Sequence, residues 1–423
     1  MLRILYLNQL LPYPPDAGPK VRSYHVVQHL AGRHEVTLAA FSRPSDRPES
    51  LAHLRSFCSE VHTVPMPRST VLNGWHLARA LLTNQPFLIT RDHVPAMIRL
   101  LRRLVQEAAA AGRPYDAVHA DQLWMAPYAL AAGQSAPAAS RPRLVLDQHN
   151  AVFLIPQRLA QHEANPLKRL LLQREQRRMQ AFEVAICRRF DHVVWVTAED
   201  QAAVQQAAPA AALPPATVIP ICVDPRAKPV LPRRPGAQRV TFLGGLHWPP
   251  NAAGLRWFFQ ECWPRVRRES PEAVLTVIGR DPPAEIAAAP RDHLDVTGYV
   301  DDPTPYLQET AAFIVPLHAG GGMRVKIVDA WSWGLPVAST TIGAEGLAYT
   351  AEENLLIGNG GEEFAAAVGR LLQDPELGRR LGAAGRRTVE QHYDWRVVYR
   401  AFDQVYAPGL PPRPSLEGSV PRG

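Results

Sequence analysis

The residues best suited to bind an anion are concentrated at positions 320–347. A glycine run, Gly320, Gly321 and Gly322, precedes Met323, Arg324, Lys326 and Asp329, which fall on a helix expected over 323–333. Gly334 and Pro336 stop that helix, and a β-branched strand follows at 336–340. Glycine lets backbone amides approach an anion closely, and a helix N-terminus adds favourable potential. Two cations at the same end suit a diphosphate. The plainer reading is any loop-to-helix turn of an α/β domain; loop, cations and carboxylate together favour a nucleotide-diphosphate site. Residues two apart do not share a helix face, so Arg324 and Lys326 reach one phosphate only if Arg324 sits where the backbone is still entering the helix. Cations at a first turn oppose the helix dipole, which argues for an anion nearby.

The first half of the chain holds three further polar groups. Gly18, Lys20 and Arg22 lie at a loop-to-helix turn, which suits either a second anion site or a capped helix with solvated cations. His119 and Asp121 stand at the end of one expected strand, and Asp147, His149 and Asn150 at the end of the next. A carboxylate or imidazole at such a place can orient an acceptor hydroxyl. A lone histidine at a strand end is more often structural, but two polar clusters at adjacent strand ends raise the case for chemistry.

Positioning these groups requires parallel sheets. Short β-branched runs alternate with longer amphipathic segments. Strands are expected at 3–7, 35–41, 61–65, 117–120, 144–148 and 192–197, then at 239–244, 274–278, 294–297, 312–316 and 336–340. The reading is an α/β chain of two doubly wound halves: residues 1–215, a Pro/Ala-rich linker at 216–236, and residues 237–394. A terminal helix over 395–406 is expected to pack back on the first half, and 407–423, rich in proline, to be disordered. Two such halves joined by a linker place a ligand between them, at the carboxyl ends of the strands.

Composition narrows the classes. The 423 residues, 46% hydrophobic and 20% charged, are those of a globular protein of two or three domains. No window approaches the roughly 20 apolar residues of a membrane span. The four scattered cysteines have no metal or redox spacing and fit a reduced, cytoplasmic protein. The net charge of +7 is uneven, with 24 Lys+Arg against 16 Asp+Glu in residues 1–200. That excess fits an arginine-rich surface, or attraction to phospholipid or a lipid-linked phosphate. The segment 167–178 is basic and amphipathic, and suits packing on the core or lying on an anionic membrane from the inner, cytoplasmic side. Nucleic acid ranks last, since no aromatic-basic RNA motif, zinc finger or helix-turn-helix is present.

In this order and spacing the chain resembles the retaining glycosyltransferases of family 4, which have the GT-B fold of two Rossmann-like domains. The anchors are Phe242-Leu243-Gly244-Gly245, Trp248-Pro249-Pro250-Asn251, Val277-Ile278-Gly279-Arg280, Thr297-Gly298-Tyr299-Val300-Asp301, the 320–347 block, Pro12-Tyr13-Pro14-Pro15-Asp16-Ala17-Gly18 and Asp147-Gln148-His149-Asn150. The resemblance implies transfer of a hexose from a nucleotide diphosphate sugar to a hydroxyl of a glycan or lipid-linked acceptor in polysaccharide or cell-surface glycan synthesis. Arg324 and Lys326 would stabilise the leaving diphosphate, with His119 and Asp121 also placed for catalysis. Gly244, Gly245, Asn251, Arg280, Tyr299, Val300, Gly321, Gly322, Met323 and Asp329 would bind the donor. Gly18, Lys20, Arg22, Asp147, His149 and Asn150 would bind the acceptor. No cofactor, metal or protein nucleophile is expected.

Two departures matter. Of the family's two glutamates seven residues apart, the second falls on Asp329 and the first on Gly321; the family's usual cations near Gly245 are absent too. The donor loop is thus a Gly-Gly-Gly-x-Arg-x-Lys variant that leans on Arg324 and Lys326. The alternatives are a catalytically inactive GT-B protein serving as a glycan-binding or partner subunit, and an epimerase on the same fold.

Overall fold

The computed structural model describes residues 1–16, 18–67, 69–83, 85–208, 213–289 and 292–407. The tail expected at 407–423 therefore lies, beyond Ala407, outside the described residues. The chain divides into two compact units, Met1–Ile221 with Arg396–Gly423, and Cys222–Trp395. Among the described residues no helix is long and apolar enough to cross a membrane.

The first unit is built on β1 (Arg3–Asn8), β2 (Glu35–Ser42), β3 (Glu60–Pro65), β4 (Ala117–Asp121), β5 (Arg143–Gln148), β6 (His192–Trp195) and β7 (Ala216–Val218). All pair in parallel in the order β3-β2-β1-β4-β5-β6-β7. Central strands such as Leu144–Leu146 read as continuous apolar runs because helices cover both faces of the sheet. The strand order reverses between β1 and β4, the switch point at which doubly wound sheets bind ligands.

The second unit holds β8 (Arg239–Leu243), β9 (Val274–Ile278), β10 (Leu294–Gly298), β11 (Thr310–Val315), β12 (Val337–Ser339) and β13 (Leu356–Ile357), ordered β10-β9-β8-β11-β12-β13 and also parallel. Phe242, Phe258, Leu275, Val277, Phe364 and Val368 lie in its core. Its switch point falls between β8 and β11, and the glycine run 320–322 belongs to the loop that follows β11.

Some local details differ from the sequence expectation, edge strand β13 among them. Residues 216–218, placed in the linker, form edge strand β7, too short to show a period of its own. The helix expected over 323–333 spans Val325–Ser332. The terminal helix expected over 395–406 is two short helices, Trp395–Val398 and Ala401–Val405. Tyr399, Phe402 and Tyr406 of this segment are buried, and its contacts group it with the first unit from Arg396 onward.

Candidate functional site

In the second unit the glycine loop is shaped by its own arginine. Arg324 is the residue before the first turn of Val325–Ser332, with φ −89° and ψ 82°, so the backbone is still entering the helix there. Its guanidinium curls back to donate from Nη1 to the carbonyls of Gly321 and Gly322. Gly320 has φ +132°, and a Cβ there would stand 2.9 Å from Arg324 Nη2. Gly322 has φ +71°. Both positions need glycine for conformation, and Gly320 also for space. Met323 is buried beneath the turn.

Lys326 reaches across to the end of β8. Its Nζ donates to Asn251 Oδ1 at 2.9 Å and lies 4.5 Å from the centroid of the Phe242 ring. Asn251 in turn donates to the Gly245 carbonyl at 2.7 Å. A Cβ on Gly244 would stand 2.7 Å from that ammonium, so the glycine after β8 leaves the room in which it sits. Burial, and then the neighbouring Arg324 charge, push the Lys326 ammonium down to about 7. Two mutually repelling cations on one partly buried loop are the kind of pair that an anion would relieve.

The other donor-side candidates are placed less uniformly. Asp329 forms an ion pair with Lys228, a partner about a hundred residues distant and invisible to motif reading. Arg280, at the end of β9, stacks its guanidinium 4.2 Å above the ring of Tyr299, which follows β10. Both are exposed, and Val300 is half-buried beside them.

The first unit gathers its polar residues by register. Tyr6 of β1 pairs with His119 of β4, and Asp121 of β4 with Asp147 of β5. With the period of two, Tyr6, His119, Asp121 and Asp147 share one face of the sheet. Arg22, on the helix Gly18–Ala31, covers them: Nε donates to Asp147 Oδ1 and Oδ2 at 2.9 and 3.1 Å, and Nη2 to Oδ1 at 2.6 Å. Nη1 donates to the carbonyls of Ile219 and Pro220. Burial raises the Asp147 carboxyl, but Arg22 and then His119 outweigh it and hold the group well below the usual carboxylate range. His119 stacks on the Tyr6 ring with centroids 4.4 Å apart, and its Nδ1 shares a 2.5 Å hydrogen bond with Tyr406 OH. Asp121 accepts from Tyr6 OH, Ser23 Oγ and His149 Nε2.

Four of the residues singled out by sequence are engaged with one another. Arg22, His119, Asp121 and Asp147 have no accessible surface, and their polar atoms are directed at one another. They tie the ends of β4 and β5 to the first helix and the C-terminal segment. Lys20 pairs with Asp16 at the start of the same helix, near Gly18. The cluster's outlets are His149 and Asn8. His149 is nine-tenths buried, and its Nδ1 has no partner among the described residues. Asn8, at the end of β1 beside the switch point, has its Nδ2 in the same condition. Asn8 was not singled out from sequence, although a polar residue closing an apolar first strand was the available signal. Asn150 is half-buried next to His149. The residue after Asp121, Gln122, is held at φ 71° and ψ 159°, with its amide bonded to the Asp147 carbonyl. Such a conformation costs of order 1–3 kcal/mol and survives only where the surroundings over-determine it. His119, Asp121 and Asp147 also offer ligand atoms within 4.8 Å of one another, but a cation there would have to displace Arg22 from Asp147.

The loop carrying His149 and Asn150 is gripped from behind. Glu183, fully buried on the helix Pro166–Cys187, accepts from the amides of Val152 and Phe153 and from Gln148 Nε2, while Asp200 accepts from the amide of Ala151. Burial pushes the Glu183 carboxyl up to about 8, and the Val152 and Phe153 amides pull against that shift. Glu183→Ala would orphan three buried donors. At about 1–3 kcal/mol for an unmatched buried group, urea denaturation is expected to show a loss of about 3 kcal/mol.

Residues 18–227 match the family model described as Glycosyltransferase Family 4, and residues 237–374 match that of Glycosyl transferases group 1. The chain is a glycosyltransferase-family protein. Its fold agrees: the Anabaena protein HepE, solved with UDP and glucose, superposes with a TM-score of 0.65 over 96% of this chain and 100% of its own, at 15% identity. An uncharacterized 44.6 kDa protein of the Klebsiella pneumoniae cps region is 25% identical over 172 residues, 38% of this chain and 44% of that protein. The capsular polysaccharide biosynthesis glycosyltransferase CapM of Staphylococcus aureus is 24% identical over 110 residues, 26% of this chain and 29% of CapM. The matched stretch is thus less than half of either relative. Within this family's GT-B fold, the Arg324–Lys326–Asn251 arrangement lies at the switch point of the second unit, and the His149 loop near that of the first.

Proposed function

We propose that this glycosyltransferase is a retaining enzyme that moves a hexose from a nucleotide diphosphate sugar to a hydroxyl of a glycan or lipid-linked acceptor in cell-surface polysaccharide synthesis. The observation that carries the reading is the pairing of Arg324 and Lys326 at one glycine-built helix entrance, beside Gly244 and Asn251. Breaking the anomeric C–O bond leaves negative charge on a diphosphate, and fixed cations aimed at that charge are the main source of rate. In this reading Arg324, Lys326 and the amides of Gly321 and Gly322 hold the leaving group in place of a metal. Arg280 and Tyr299 flank the nucleobase, with the backbone of Val300. His149 Nδ1, Asn150 and Asn8 contact the acceptor or transferred sugar, and the departing phosphate takes the acceptor's proton. The relative named for capsular polysaccharide biosynthesis, the one from a cps region and the solved UDP complex support the pathway and the donor class.

A panel of UDP, GDP and ADP sugars tests the reading by stabilisation against heat and by nucleotide release with acceptor. If no nucleotide sugar stabilises the chain, the inactive GT-B reading replaces it. That reading is favoured by Gly321 in place of an acid and by the Lys228 pairing of Asp329. Interconversion of the donor sugar without acceptor would mark an epimerase.

Lys326 adds a pH prediction. Its free ammonium titrates near 7, and a bound diphosphate favours the charged form, raising that value. Donor binding therefore takes up a proton above pH 7. Calorimetry with an intact nucleotide sugar is expected to show affinity level below pH 7 and falling above it, by at most about tenfold per unit. Lys326→Ala removes the slope. An affinity that rises with pH would contradict the assignment.

A further inference from the structure

The helix Pro166–Cys187 carries five cations, Lys168, Arg169, Arg174, Arg177 and Arg178, against two acids. Its second half turns Met179, Glu183, Val184, Ile186 and Cys187 inward. Its first half is different. Leu167, Leu170 and Leu171 are 67%, 61% and 55% exposed, and at i, i+3 and i+4 they share one face. They form an apolar ridge that this unit leaves in water.

A neighbouring helix extends the same surface. Arg178 Nη1 donates to the Ala80 carbonyl at 3.2 Å, and Glu175 accepts from the Phe87 amide at 3.0 Å. Leu82, between those two attachment points, is 87% exposed, and Trp75, on the same helix Thr70–Thr83, is 57% exposed. Arg79 sits over the Trp75 ring, 5.6 Å from its centroid. Five of the eleven exposed large apolar side chains among the described residues thus stand on two linked helices, so the exposure is localised. Large apolar patches rimmed by charge mark interaction surfaces.

We propose that this face is an interfacial anchor that seats the first unit on an anionic phospholipid bilayer. Leu167, Leu170 and Leu171, with Leu82 and Trp75, would enter the boundary between headgroups and acyl chains, while Arg174, Arg177 and Arg79 meet lipid phosphates. Lys168 and Arg169 contribute less, because Lys168 pairs with Glu163 and Arg169 donates to the Glu163 carbonyl. The charge chooses the occupant. A second copy of the chain would bring like arginine clusters together, whereas an anionic surface neutralises them. The inference gives the reading above a source of lipid-linked acceptor and rests on it only there.

Co-sedimentation of the full chain with phosphatidylcholine vesicles, with and without about one-third phosphatidylglycerol, tests the anchor with no donor or acceptor present. Capture is expected on the anionic vesicles, weaker capture on neutral ones, and a decline with salt. Leu167→Gln/Leu170→Gln/Leu171→Gln is expected to reduce capture about tenfold or more. These side chains are exposed, so circular dichroism and donor stabilisation should be those of the parent. Failure of the parent to sediment, or equal capture of the triple variant, would overturn the proposal. So would light scattering that shows a parent dimer and a monomeric variant, which would give the ridge to a second copy. Vesicle capture without any nucleotide-sugar stabilisation would leave the anchor standing and remove the transferase reading; the reverse pair of results would do the opposite.

Discussion

An Arg324→Ala/Lys326→Ala variant is expected to lose at least about a thousandfold in kcat/KM for sugar transfer. Removing one preorganised donor from developing negative charge costs about 10²–10³, and the second compounds the loss without simple additivity. Arg324 does two things in this site. It supplies charge, and it ties down the loop by donating to the carbonyls of Gly321 and Gly322. Arg324→Lys separates the two: the charge survives, but a single ammonium does not reproduce the guanidinium fork. Its loss should fall between those of the parent and of Arg324→Ala. Steady-state kinetics with the donor found by the stabilisation panel measures each step. A double variant that still binds nucleotide and turns over unchanged would end the assignment of these two residues.

The second large effect is on stability. Arg22→Ala leaves the Asp147 carboxylate inside the first unit with its main partner gone, and also frees the carbonyls of Ile219 and Pro220. Breaking one side of a buried ion pair costs about 3–5 kcal/mol, enough to unfold a marginal domain. Thermal and urea unfolding should show it. Replacing both partners by apolar residues of similar volume should cost much less, because no charge is then stranded. An Arg22→Ala protein as stable as the parent would show that the pair is not carrying the packing. Acid titration tests the same pair. The folded carboxyl of Asp147 lies below its ordinary value of 3.8, so the unfolded chain takes up the proton first as pH falls. Stability from this group is fully present above about pH 4 and is lost below it. Asp147→Asn should remove that component.

That Arg22 and Asp147 meet is not legible in the sequence, and the reason is geometric. Arg22 follows Lys20 at a helix start, where a cation ordinarily points to water. Helix rotation decides otherwise: Lys20 stays near the surface with Asp16, while Arg22, two residues on, faces the sheet. His119 was placed at a strand end with the right chemistry for catalysis. Its buried environment comes from Tyr6, more than a hundred residues earlier, and from Tyr406, nearly three hundred later. No window of sequence contains those three together. Arg324 was legible because its partners are local. The glycines that receive its guanidinium precede it by two and three residues, and the positive φ angles at Gly320 and Gly322 are those only glycine adopts easily.

The same contrast runs through the whole molecule. Alternating apolar runs and amphipathic stretches carry a period that each segment expresses alone. Two parallel-sheet halves, their main strands and the glycine turn into a helix at residues 320–326 were therefore open to reading in order along the chain. The short edge strands β7 and β13 were not, since two or three residues hold no period and exist by pairing with a neighbour. Direction and company of polar side chains were decided by tertiary structure. Strand register aligned Tyr6 with His119 and Asp121 with Asp147, and the packed C-terminal segment closed over them. Burial then engaged residues suited to catalysis with one another. It left His149 Nδ1 and Asn8 Nδ2 without partners among the described residues, because desolvation and hydrogen-bond company depend on what the folded chain brings near, not on residue type.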